Sequence, residues 1–211
     1  MNGNFSSINI LVFIVALLFS VGFHEAMHAF TAHWLGDTTA ADQGRLTLNP
    51  LKHLDLYTSI ILPIILILSH LPPFFAAKPV PFNPARVKYD EFGAALIGVA
   101  GPLTNFALAV LGALFLRGIG GQLSVGITDA VQTFVLINVA LFVFNMIPFP
   151  PLDGSRLLYA LAPEPVQDIM FRIESAGFMA IIVFILIFMT TGLGTAIVNV
   201  DNAIFRFLVG R

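Results

Sequence analysis

The chain has 211 residues, 57% hydrophobic and 10% charged, with a formal net charge of −2 and a mean hydropathy of +0.91. A water-soluble domain carries about 25% charged residues, so this composition is that of an integral membrane protein, and the negative balance argues against a nucleic-acid partner. There is no cysteine, which excludes disulfides and thiolate metal sites.

Met1 to Ser7 has no basic n-region and does not read as a cleaved signal peptide. Ile8 to Trp34 is the first span, long enough to cross about 30 Å of hydrocarbon. It contains His24-Glu25-Ala26-Met27-His28. A helix turns about 100° per residue, so His24 and His28, four apart, share one face and can reach one metal ion. Glu25, beside the first ligand, can act as general base on a water there. Titratable groups are costly inside an apolar span, so a functional site is the default reading. Trp34 sits where an interface anchor is expected, and Gly36-Asp37 ends the helix.

Residues 37–55 are polar, and the alternation Arg45-Leu46-Thr47-Leu48 favours a short extended or hairpin piece. Leu56 to Leu71 is apolar but short and interrupted by Pro63, a thin span or a re-entrant segment. Lys78-Pro79-Val80-Pro81-Phe82-Asn83-Pro84 is a stiff, non-helical loop. Phe92 to Leu116 is the second clear span. Its Ala94, Gly98, Gly101 and Asn105 form one small-residue face suited to close helix approach, with Asn105 turned to a neighbouring helix for a packing hydrogen bond or a role at the metal. Ile127 to Ile147 is the third. It ends in Asn145-Met146-Ile147-Pro148-Phe149-Pro150-Pro151-Leu152-Asp153-Gly154, where three prolines must break the helix. Gly177 to Val198 is the last span.

Catalytic zinc usually takes three protein ligands and keeps one position open. His33, nine residues from His24, lies about 180° around the helix and faces away. His53 and His70 lie in loop sequence, where a solvated or structural role is more common. Among the acids, Asp153 alone follows a break that buries it at depth; it is favoured over Asp129 and Glu174. For Asp153 to meet the histidines, the first and third clear spans must run in the same direction. Leu56–Leu71 should then re-enter rather than cross. Residues 36–92 hold Arg45, Lys52, Lys78, Arg86 and Lys88, whereas the opposite side holds Arg117, Arg206 and Arg211. By the positive-inside rule the first set, and the site, lie nearer the cytoplasm.

His24-Glu25-x-x-His28, Gly101-Pro102-x-x-Asn105 and Asn145-x-x-Pro148-x-Pro150-x-Leu152-Asp153-Gly154 together resemble the motifs of site-2 proteases, the intramembrane zinc metalloproteases. Gly44-Arg45-Leu46-Thr47-Leu48-Asn49-Pro50 and Lys78-Pro79-Val80-Pro81 resemble a compact prokaryotic branch without PDZ or CBS modules. The resemblance covers about residues 20–160. It implies one Zn2+ per chain held by His24, His28 and Asp153, with Glu25 as catalytic acid/base. Asn145 would hold substrate backbone near the metal, with Asn105 grouped beside it as a candidate substrate-binding residue. The implied reaction is peptide hydrolysis within transmembrane protein substrates, in the lipid bilayer of a prokaryotic cell membrane. The alternatives are a metal-ion transporter, which should show inverted repeats and several acids along a path, and a non-catalytic scaffold. The expected fold is an all-α polytopic membrane protein. It has four to six transmembrane helices, a re-entrant segment and a short β-like piece near the cytoplasmic face, in a single membrane-embedded domain over 1–211.

Overall fold

The computed structural model describes residues 7–55, 59, 61, 65, 68, 78 and 80–210. Eight α-helices are described: α1 (Ser7–Trp34), α2 (Thr39–Asp42), α3 (Asp90–Ile119), α4 (Val125–Asn145), α5 (Gly154–Leu161), α6 (Glu164–Ser175), α7 (Phe178–Thr190) and α8 (Leu193–Val209), with 3-10 turns at Pro50–His53, Pro84–Arg86 and Gly120–Gln122. Three of them, α1, α3 and α4, are long and apolar enough to cross a membrane; α6 and α7, bent by 102°, make a fourth crossing if taken as one broken span. Large apolar side chains lie open around the bundle, Leu11 at 63%, Leu111 at 62% and Phe207 at 79% exposure, as a lipid-facing surface requires. Among the described residues the fold is all-helical, that of a polytopic membrane protein.

Helices α1, α3 and α4 form the centre. His24 meets Asn105 and His28 meets Ile97, so α1 and α3 are antiparallel. Asn105 meets Asn138 and Gly112 lies against Val135, so α3 and α4 are antiparallel too. The first and third spans therefore run the same way. The small-residue face of α3 makes this packing possible: Gly98, Gly101, Asn105, Ala109 and Ala113 are all buried. Ala109, Ala113 and Leu116 join Val135 and Val139 in an apolar cluster, covered by Ile204, Phe205, Leu208 and Val209 of α8.

Two expectations change here. No strand occurs among the described residues, so the β-like piece over 37–55 is corrected to short helical turns. Local side chains serve this backbone instead of a neighbouring strand. Asp37 accepts from Thr39 N at 3.0 Å and opens α2, and Asn49 accepts from Leu51 N and opens the turn at Pro50. The last span is also not continuous. Thr191 turns to an extended conformation at the end of α7, and its hydroxyl accepts from Leu193 N at the start of α8, which turns back onto α3 and α4. The expected re-entrant stretch Leu56–Leu71 lies, but for positions 59, 61, 65 and 68, outside the described residues.

The end of α1 is fixed by backbone and by one carboxylate. Gly36, at φ +103°, lets Gly36 N reach His33 O and Asp37 N reach Ala32 O, the paired bonds that close a helix at a left-handed residue. Asp37 is fully buried and accepts from Thr39 N, the Thr39 hydroxyl and Asn83 N, the last at 2.6 Å. Burial pushes its pKa up. The bonds from Thr39 and Asn83, with the charge of Arg86, outweigh that and hold it below the ordinary aspartate value. A lowered carboxyl pKa stabilises the fold above the unfolded value near 4, and the contribution fades as pH falls through the folded value. Asp37→Ala should therefore cost about 3 kcal/mol at neutral pH, and the gap to wild type should narrow on acidification. Thermal unfolding in detergent across that range checks it.

Candidate metal centre

His24 and His28 stand on one face of α1, one turn apart, both buried. After α4 ends at Asn145, the segment through Pro148, Pro150 and Pro151 cannot continue the helix. It folds back in short turns, from Ile147 O to Phe149 N and from Phe149 O to Leu152 N. Gly154 closes this loop, since a Cβ there would stand 2.5 Å from Met146 O. Asp153 is thereby returned to the bundle at the head of α5. Its Oδ2 lies 3.0 Å from His24 Nε2 and 3.4 Å from His28 Nε2, and the two Nε2 atoms are 3.0 Å apart. One donor atom from each residue falls within 4.8 Å of the others, and among the described residues this is the one such group of metal-ligating side chains.

The neighbours of the rings decide what those atoms are. His28 Nδ1 is 2.6 Å from Ile97 O, a pure acceptor, so Nδ1 carries the hydrogen and donates. His24 Nδ1 lies 2.6 Å from Asn105 Oδ1. The orientation of that amide is settled by a chain of bonds with backbone carbonyls as anchors. Asn105 Nδ2 donates to Ser20 O and to Asn138 Oδ1. Asn138 Nδ2 donates to Phe134 O and Ser20 Oγ, and the Ser20 hydroxyl donates to Ala16 O. Asn105 therefore offers His24 an acceptor, and His24 Nδ1 donates. Both Nε2 lone pairs then point at the Asp153 carboxylate.

Three electron-rich atoms aimed at one point repel unless a proton or a metal cation lies between them. Ligands about 2.05 Å from a tetrahedral metal stand about 3.3 Å apart, which is the scale of these separations. The space is kept clear by Gly101: a Cβ there would lie 2.4 Å from His28 Nε2 and 2.7 Å from His24 Nε2. The donor set, two imidazoles and a carboxylate, suits zinc with one coordination position left over. Each named residue of Gly101-Pro102-x-x-Asn105 has a physical use. Gly101 clears the site, and Asn105, four residues on, presents the acceptor that orients His24. Pro102, lacking an N–H, leaves Gly98 O free of its usual helical bond, where Gly98 lies against Asp153 O and Arg156.

Glu25 is half-buried, and its Oε2 accepts from Val80 N at 3.2 Å. Asn145 donates to Leu141 O at the end of α4. Asn105, grouped by sequence with substrate binding, has no exposed surface and holds His24 instead. The rivals lie elsewhere. His33 is exposed. Buried His53 donates from Nε2 to Thr47 O. Asp129 is exposed at the start of α4, Glu174 pairs with Arg156, and His70 is outside the described residues. A cavity of about 630 Å3, lined in part by Phe82, Arg156, Tyr159 and Glu174, opens one turn of α5 past Asp153. Sequence reading gave no role to Ser20 or Asn138; the available signal was a costly amide within an apolar span.

The sequence profile of peptidase family M50 matches residues 119–189, a stretch that includes Asp153. Relatives of this chain carry the name "Putative zinc metalloprotease", three of them as follows. YwhC of Bacillus subtilis is 38% identical over 184 residues, 84% of this chain and 80% of its own. MJ0611 of Methanocaldococcus jannaschii is 36% identical over 162 residues, 74% of each chain. Rip2 of Mycolicibacterium smegmatis is 28% identical over 185 residues, 86% of this chain and 69% of its own. No solved structure matches the chain. Kinship along most of its length with YwhC and MJ0611, together with the profile match, makes this chain a member of peptidase family M50, the site-2 proteases, and a metalloendopeptidase.

Proposed function

We propose that the chain is an intramembrane zinc endopeptidase that cuts transmembrane protein substrates at bilayer depth, nearer the cytoplasmic face of a prokaryotic plasma membrane. The observation that carries the reading is the convergence of His24, His28 and Asp153 inside the helix bundle, with Glu25 next to His24 in α1. His24, His28 and Asp153 would hold one zinc ion, which supplies an acidified water and a positive charge for the carbonyl oxygen under attack. Glu25 accepts a proton from the attacking water as its oxygen bonds to the scissile carbonyl carbon. Glu25 then delivers that proton to the departing amide nitrogen as the C–N bond breaks, leaving a free amine and a carboxylic acid. Asn145, at the broken end of α4, would hold substrate backbone. Helical amides are internally bonded, so the substrate must be extended locally before the carbonyl is accessible. The cationic loops at 45–88, against Arg117 and Arg206 at the other end, favour the cytoplasmic placement.

The test compares membrane proteins by mass spectrometry in cells carrying wild type or Glu25→Gln. The variant should retain stoichiometric zinc while cleavage falls by about a hundredfold or more. Cleavage that persists in Glu25→Gln removes Glu25 from the reaction. A wild type that cuts no membrane protein removes the intramembrane substrate.

A further inference from the structure

The loop before α3 reaches back to Glu25 of α1. Lys78 is pinned twice: its N–H donates to His53 O at 2.9 Å and its carbonyl accepts from Arg45 Nη2 at 2.6 Å. Five residues on, Asn83 N is pinned by Asp37. Between the pins lies Pro79-Val80-Pro81. Proline has no N–H, so Val80 carries the one amide hydrogen of this triplet, and Pro81 biases it to an extended conformation. That hydrogen is directed at Glu25 Oε2, 3.2 Å away and fifty-five residues distant in the chain.

We infer that the backbone amide of Val80 is a positioning group for Glu25, and that Arg45, His53 and Asp37 hold the strap that presents it. The inference rests on Glu25 being the proton-transferring residue. A glutamate has two equivalent oxygens and three side-chain torsions. A charge-assisted bond to one oxygen fixes the torsions and leaves the other oxygen for the attacking water. Misplacing a catalytic group by about 1 Å costs on the order of a hundredfold in rate, so one amide at the end of a stiff strap is enough to matter. The prolines suit this role, because they favour an extended strap and leave no second N–H to compete for the carboxylate. The inference also gives a use to Arg45 and to Lys78-Pro79-Val80-Pro81, which do not bind the metal.

The experiment removes the hydrogen while keeping the chain. Val80→Pro deletes the N–H, and incorporation of α-hydroxyvaline at position 80 replaces it with an ester oxygen under the same side chain. Both are purified with zinc bound and assayed on the substrate that the Glu25→Gln comparison identifies. The expected result is a fall in kcat of about ten- to a hundredfold, with KM and zinc stoichiometry unchanged, and recovery of most of the loss in Val80→Ala, which retains the amide. Should Val80→Pro fail to fold, the ester decides. A kcat within about twofold of wild type in the ester overturns the inference while leaving Glu25 in its role, and a kcat that rises overturns it as well, making the contact a brake. A Glu25→Gln enzyme that still cuts overturns the underlying reading instead.

Discussion

Replacing Gly101 with alanine should abolish zinc binding and leave the helix bundle standing. The added methyl carbon would come within 2.4 Å of His28 Nε2 and 2.7 Å of His24 Nε2, far inside van der Waals contact. Neither ring can swing away at small cost, because His28 is bonded to Ile97 O and His24 to Asn105. Helix α3 itself gains, since alanine is about 1 kcal/mol better than glycine in a helix interior. The two readouts therefore move apart. Zinc affinity, measured by chelator competition, should fall by more than about a hundredfold, while helical content in detergent is retained. An alanine variant that still carries one zinc and retains activity would show that the ion is held elsewhere.

The second large effect lies one turn further along α3. Asn105→Leu conserves bulk but removes the acceptor for His24 Nδ1 and the donor to Asn138 Oδ1. Hydrogen bonds between membrane helices average about 0.6 kcal/mol, and orphaned buried groups cost about 1–3 kcal/mol each. Stability should thus drop by about 2 kcal/mol, enough to measure and not enough to unfold the bundle. The loss at the metal is larger in its consequences. With the ring free to turn and its tautomer unfixed, zinc affinity should fall about ten- to a hundredfold. Asn105→Asp keeps an acceptor facing His24 and should recover metal affinity more than stability, because it cannot supply both amide hydrogens to Ser20 O and Asn138. Equal recovery of both quantities would reduce Asn105 to a packing residue.

The candidate site was legible in sequence where its geometry is local. Four-residue spacing places His24 and His28 together whatever the tertiary fold, and three prolines before Asp153 announce a break wherever α4 ends. The remainder depends on register between distant segments. That Asn105 faces His24, rather than open space at the site, follows from how far α3 slides along α1, which periodicity within one helix does not contain. The contact between Val80 and Glu25 likewise needs the path of the intervening chain. Two errors were local and had a different cause. Arg45-Leu46-Thr47-Leu48 alternates as a strand does, but Asp37 and Asn49 satisfy nearby amides themselves. The span expected over Gly177–Val198 breaks at Thr191, where the chain turns extended and the Thr191 hydroxyl accepts from Leu193 N to start α8.

The apolar cluster of Ala109, Ala113, Leu116, Val135 and Val139, covered by α8, has an electrical meaning. Hydrolysis within a bilayer brings water and ionisable groups to a depth where a continuous wet path would carry protons down the transmembrane voltage. Each elementary charge moved through that field releases about 2.3 kcal/mol per 100 mV. The cluster closes the end of the bundle away from the histidines with methyl groups that can neither donate nor accept a proton. If the chain cleaves at bilayer depth as proposed, this layer would be an insulator in series with the hydrated site, and a cell could keep the enzyme in an energised membrane without short-circuiting it.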